Sequence, residues 1–193
     1  MEERTLELYN ELIKIMTPDT VFACIGAVKT TSYLDSIGPQ VGDILKANGL
    51  PYVYGTHKKP YDGLSAERFT KMINKRHKNN TVIAIDLCCC LDTEKLYKIQ
   101  LDQGFLTPGA GVNKKLSKIG DYAIRIYMLT RYNKDLVVNY NFFKDKDYEF
   151  LKNKTDESIK IISDAIIQAY KYVCTNPSFD ITELKTNKIS KLV

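Results

Sequence analysis

The chain has 193 residues, 44% hydrophobic and 26% charged, the make-up of an ordinary soluble globular protein with enough length to bury the core of one domain. Lys and Arg total 28 against 23 Asp and Glu, giving a net charge of +5, but the basic residues are scattered (Lys58-Lys59, Lys75 to Lys78, Lys114-Lys115 and the C-terminus), which points away from a direct nucleic-acid role. No apolar run is long enough to span a bilayer, and the opening MEERTLELYNEL lacks the basic-then-apolar order of a signal peptide, so a cytoplasmic protein with no membrane partner is expected.

In chain order, Glu3 to Met16 places Leu6, Tyr9, Leu12, Ile13 and Met16 at helical spacing, and Pro18 ends that helix. Thr20 to Ile25 reads as a first strand, and Gly26 opens the polar loop GAVKTTSYLDSI with its single acid, Asp35. Gly38-Pro39 begins a second helix with Val41, Ile44 and Leu45 on one face and Gly49 as its stop. Pro51 to Tyr54 is a short strand, and Ser65 caps a helix running through Lys78. Thr81 to Asp86 is the third strand, apolar and β-branched as befits a strand buried on both faces, with Asp86 expected where it ends.

Lys95 to Leu101 alternates enough to be a strand, and a long loop, GFLTPGAGVNKKLSKIG, leads to another over Asp121 to Leu129. The stretch from Tyr132 to Leu151 has no clear period. Thr155 caps a long amphipathic helix to Cys174 with Ile159, Ile162, Ala165, Ile166, Ala169 and Tyr170 facing inward. The organisation expected is a single domain over 1–176 and a Lys-rich tail over 177–193.

Strand, helix, strand, helix, strand is the pattern of a parallel α/β sheet with right-handed crossovers. If the first strand lies between the second and third, a crevice opens at their carboxyl ends, where ligands collect in such sheets. Asp35 and Asp86 would both emerge there. Two close carboxyls cannot both ionise freely, so one becomes a general acid and the other a general base, needing no cofactor. A divalent cation between them, with His57 or Asp62 as further ligand, is the alternative, as is a plain capping role for Asp35.

Other motifs carry less. GAVKTTS lacks the glycines of a phosphate loop. PGAGVNK, Pro108 to Lys114, either turns the chain or points backbone N–H groups of Gly109, Ala110, Gly111, Val112 and Asn113 at an oxyanion or an extended peptide. Cys88, Cys89 and Cys90 are too closely spaced for a zinc site and read as small buried hydrophobes; five cysteines in this pattern suit a reducing interior. His57 reads as a surface histidine and His77, in the basic run KRHK, as exposed. A Ser-His-Asp hydrolase has no support.

DSIGPQVGDIL (Asp35 to Leu45), PYVYGT with Pro60, VIAIDLC (Val82 to Cys88) and TPGAGVNKKLSKIGDYAI (Thr107 to Ile124) occur in an order and spacing that resembles the YyaC-type sporulation proteins of spore-forming Firmicutes. Those proteins look like the germination protease that degrades small acid-soluble spore proteins. The resemblance implies a three-layer α/β sandwich with a mostly parallel mixed sheet, of the phosphorylase/hydrolase-like kind shared with hydrogenase-maturation peptidases. It further implies a peptidase site at the matching Asp35 and Asp86, a protein or peptide substrate, and action in the forespore or mother cell. Val28-Lys29 stand where the family has Asp-Arg, which keeps a binding or regulatory role on the same scaffold as the alternative.

Overall fold

The computed structural model describes residues 1–28, 33–109, 116–130 and 145–176. The elements are α1 (Glu3–Leu12), β1 (Val21–Cys24), α2 (Ile37–Ala47), β2 (Val53–Tyr54), α3 (Ala66–Arg76), β3 (Val82–Cys90), β4 (Ile99–Gln103), β5 (Tyr122–Thr130) and α4 (Asp145–Thr175). The strands form one sheet in the order β2-β1-β3-β5-β4, parallel throughout except for β4, which pairs antiparallel with β5 at the edge. β1 therefore lies between β2 and β3, the order under which a crevice opens at their carboxyl ends.

Alternation along the strands explains the layers. Phe22, Cys24, Ile83, Ile85, Ile124 and Ile126 face one side and share a core with Leu8 and Leu12 of α1, Val41 and Leu45 of α2, and Ile162 and Ile166 of α4. Val21, Ala23, Val82, Ala84 and Ala123 face the other, against Tyr61 and the Phe69 and Ile73 of α3. The result is helix, sheet, helix. Central strands covered on both sides have no polar face to show, which is why Thr81 to Ile85 reads as an unbroken apolar run. Residues on the α3 side are small, so α3 and the segment before β5 lie close to the sheet; a Cβ on Gly120 would sit 3.0 Å from that of Ala84.

Several boundaries differ from expectation. β3 does not end at Asp86 but runs on to Cys90, because β5 continues beside it after β1 has stopped at Cys24. A strand that has lost one neighbour tolerates an acid. α1 ends at Leu12, and its inward face is Thr5, Leu8 and Leu12 rather than Leu6, which is 43% exposed. Thr155 is no cap: α4 starts ten residues earlier, and the buried Thr155 hydroxyl donates to the Leu151 carbonyl at 2.7 Å inside the helix. The edge strand sits at Ile99–Gln103, shifted from Lys95 to Leu101. Ser65 stands at the α3 N-terminus, yet its hydroxyl donates to the Pro60 carbonyl while Asp62 accepts from the Leu64 and Ser65 amides. His77 is buried, not exposed, its ring tilted against that of Tyr52 and 2.7 Å from the Tyr54 hydroxyl. The tail from 177 and most of Tyr132 to Leu151 lie outside the described residues. No described helix is long and apolar enough to cross a membrane.

Candidate functional site

The site begins where β1 ends. Ile25 still donates its amide to the Ile85 carbonyl at 2.8 Å, and Gly26 donates to the carbonyl of Tyr61 at 3.1 Å. The chain then leaves the sheet and returns as a single 3-10 turn, Leu34–Ser36, that carries Asp35 into α2. The Asp35 carbonyl accepts the Ala27 amide at 2.9 Å. A side chain on Gly26 would collide with that same carbonyl, and one on Gly38 would collide with the carbonyl of Ile25. Two glycines thus let the turn and the start of α2 press against the tip of β1.

A polar network fixes the turn from the other side. Ser36 donates to the Tyr33 carbonyl at 2.7 Å, Gln40 donates to the Ser36 hydroxyl at 2.8 Å, and the Tyr33 hydroxyl donates to Asp156 of α4 at 2.6 Å.

Asp86 is the first residue of β3 beyond its pairing with β1, which ends at Cys24 opposite Ile85. By alternation from Val82 and Ala84 its side chain belongs to the α3 side of the sheet. Burial pushes its carboxyl well above the usual carboxylate range; the Leu87 amide works the other way, and the negative charge of Asp35 adds to the rise. The two acids singled out in the sequence are therefore in electrostatic contact at the point where the chain reverses direction across the sheet.

The same sheet face carries the feet of the glycine-rich loop. Leu106 and Ile119 bond each other's backbone, and both pack in the α3-side core. Glu67, in the first turn of α3, accepts from the Ser117 amide at 2.6 Å and its hydroxyl at 3.0 Å, and these bonds hold its carboxyl below the usual range. Gly109 has φ +73°, a conformation that favours glycine. Ala110, Gly111, Val112 and Asn113 lie outside the described residues.

His57 does not join the acids. Its Nδ1 lies 2.6 Å from Asp43 of α2, and both side chains are about half exposed. Asp62 is occupied by the amides of the turn before α3. Among the described residues no three His, Cys, Asp or Glu side chains converge as metal ligands. A cation held jointly by Asp35, Asp86 and His57 does not fit this arrangement.

The cysteines divide. Cys90 is buried, Cys88 half-buried and Cys89 exposed, so the expectation of three buried hydrophobes fails at Cys89, where the strand has outrun its cover. Burial pushes the Cys88 thiol up, which leaves it protonated and a poor nucleophile.

Sequence reasoning missed Arg125, Asp102, Glu67, Tyr33 and Asp156. Arg125 had a signal: it is a lone charge inside the apolar run YAIRIYML. The others are surface-type residues whose partners are distant in sequence.

A mixed five-stranded sheet with helices on both faces makes this protein an open α/β sandwich. The chain belongs to the family described as "Protein of unknown function (DUF1256)", which matches residues 2–166. It is similar to the "Uncharacterized protein YyaC" of Bacillus subtilis (strain 168), 38% identical over 119 residues, 61% of this chain and 57% of that protein. The YyaC-type resemblance read from the motifs is thereby borne out.

Proposed function

We propose that this protein is a peptidase-like hydrolase in which Asp35 and Asp86 divide the proton work of cleaving an amide bond. The observation that carries the reading is Asp86 itself: burial, with the nearby Asp35 charge adding to it, raises its hold on its proton, as a general acid beside a second carboxyl requires. In this reading Asp35 takes a proton from water as the oxygen forms its bond to the peptide carbonyl carbon. Asp86 gives its proton to the departing nitrogen as the C–N bond breaks. The backbone of Gly109 to Asn113 steadies the carbonyl oxygen. The substrate would be a protein or peptide, with small acid-soluble spore proteins as the first to test, and the setting the cytoplasm of a sporulating cell.

Asp86→Asn should reduce cleavage by at least about a hundred-fold, the usual scale of general acid catalysis, with the fold retained. Undiminished cleavage in that variant would sink the mechanism. A second reading, a binding or regulatory protein, is favoured by Val28-Lys29 replacing the family's Asp-Arg in the first loop. It gains if purified protein binds spore proteins or peptides yet cuts none.

A further inference from the structure

Asp86 has a cation beside it that does not pair with it. In the β3–β5 ladder Asp86 stands directly opposite Arg125, and neighbouring strands lie about 4.8 Å apart. By alternation with Ala84 and Ala123, both side chains belong to the α3 side. A guanidinium so placed could reach the carboxylate. Instead Arg125 turns toward the sheet edge: Nη1 donates to Asp102 Oδ2 at 2.8 Å and Nη2 to the Phe105 carbonyl at 3.0 Å. Asp102 is itself braced, because the Gln100 amide donates to its Oδ1 at 2.9 Å, and Gln100 stands opposite Arg125 on the other flank. The ion pair is mostly covered, with Arg125 22% and Asp102 34% exposed.

We infer that Asp102 is a positioning residue: through its bond to Arg125 it holds the guanidinium on the β4 side and prevents an Asp86–Arg125 ion pair from forming. Two bonds from the planar guanidinium fork, one of them to a charged acceptor, fix Arg125 on the β4 side. Released from the clamp, Arg125 has one carboxyl within reach on the same face. That ion pair would ionise Asp86 and end the difference between the two acids.

Among the described residues, the following charged and titratable groups lie toward Asp86. Asp35 approaches from the turn after β1, Cys88 follows on the same strand, and Arg125 neighbours it on β5. Glu67 of α3 is engaged by Ser117, and the ammonium of Lys118, in the segment before β5, lies 3.8 Å from the centre of the Phe105 ring. The significance of the clamp rests on reading Asp86 as the acid of the pair, but its existence does not, because titration needs no substrate.

The experiment is to follow the Asp86 carboxyl by carbon-13 NMR across pH in the full chain, assigned by its loss in Asp86→Asn. In Asp102→Asn the proton affinity of Asp86 should fall at least about ten-fold. Adding Arg125→Met to that variant should restore it, and Arg125→Met alone should leave it near the wild-type value. Gln100→Leu changes no charge and only loosens the brace, so it should give a smaller fall in the same direction; it serves if Asp102→Asn does not fold. An unchanged Asp86 in both Asp102→Asn and Gln100→Leu, or a fall that persists after Arg125→Met is added, overturns the inference. If the shifts occur but wild-type protein cleaves nothing, the clamp stands and the peptidase reading fails.

Discussion

The Tyr33 hydroxyl donates a 2.6 Å hydrogen bond to Asp156, joining the turn that carries Asp35 to a helix more than a hundred residues away in sequence. Asp35 has its place because α4 packs beside α2 and offers a carboxylate to the residue two before it. Lys152 braces the arrangement, with its ammonium 2.9 Å from Asp156 and over the Tyr33 ring.

Tyr33→Phe tests that link. The variant loses one bond to a charged acceptor while Asp156 keeps Lys152, so the cost should be about 1–2 kcal/mol in denaturant unfolding. The Ala27 amide, bonded to the Asp35 carbonyl, should exchange with solvent faster than in wild type, while amides of β3 should not. Equal exchange at Ala27 would show that Gly26 and Ser36 hold the turn without Tyr33.

Asp86→Asn should change stability with a definite pH dependence. The folded protein holds the Asp86 proton above the ordinary value of 3.8, so as pH rises past that value the unfolded chain releases a proton the folded one keeps. Wild-type stability therefore falls over that interval, up to the raised folded-state value. Asparagine cannot ionise, so the variant should unfold at a higher temperature than wild type near pH 7 and lose that advantage below about pH 4. Melting curves at the two pH values decide it; a variant less stable at pH 7 would mean that Asp86 is ionised in the folded state.

Two glycines should respond differently to alanine. At Gly38 the new methyl meets the Ile25 carbonyl, part of a strand that cannot retreat, and the loss should be about 3 kcal/mol. Gly49 has open space around it but φ +81°, so only the backbone strain of about 1 kcal/mol applies. Urea midpoints of the two variants give the comparison.

Thr155→Val separates the two readings of that residue. A helix cap replaced by valine would cost about 1 kcal/mol, whereas an interior threonine bonded back to its own helix should be replaced within about 0.5 kcal/mol. The structure predicts the smaller figure, again from denaturant unfolding.

The alternating and continuous apolar runs of this chain were sufficient to place the strands and the crossover helices, because a strand covered on both sides must be apolar wherever its neighbours continue. The same logic pointed to Asp86, an acid that follows a run in which no acid is tolerated, and to Asp35 as the acid of the polar loop after the first strand. It misjudged where β3 ends, since the strand's length is set by β5, a partner forty residues away. It also misread Thr155, whose fit to a capping pattern concealed a helix already under way.

Composition and pattern by themselves determined the layered architecture, because burying apolar surface is a property of each segment taken alone. Only the folded arrangement decided that His57 answers to Asp43, that Tyr33 reaches Asp156 and that Arg125 turns from its neighbour toward Asp102. A charge chooses among partners by distance and desolvation, and those exist only once strands and helices from distant parts of the chain have come together.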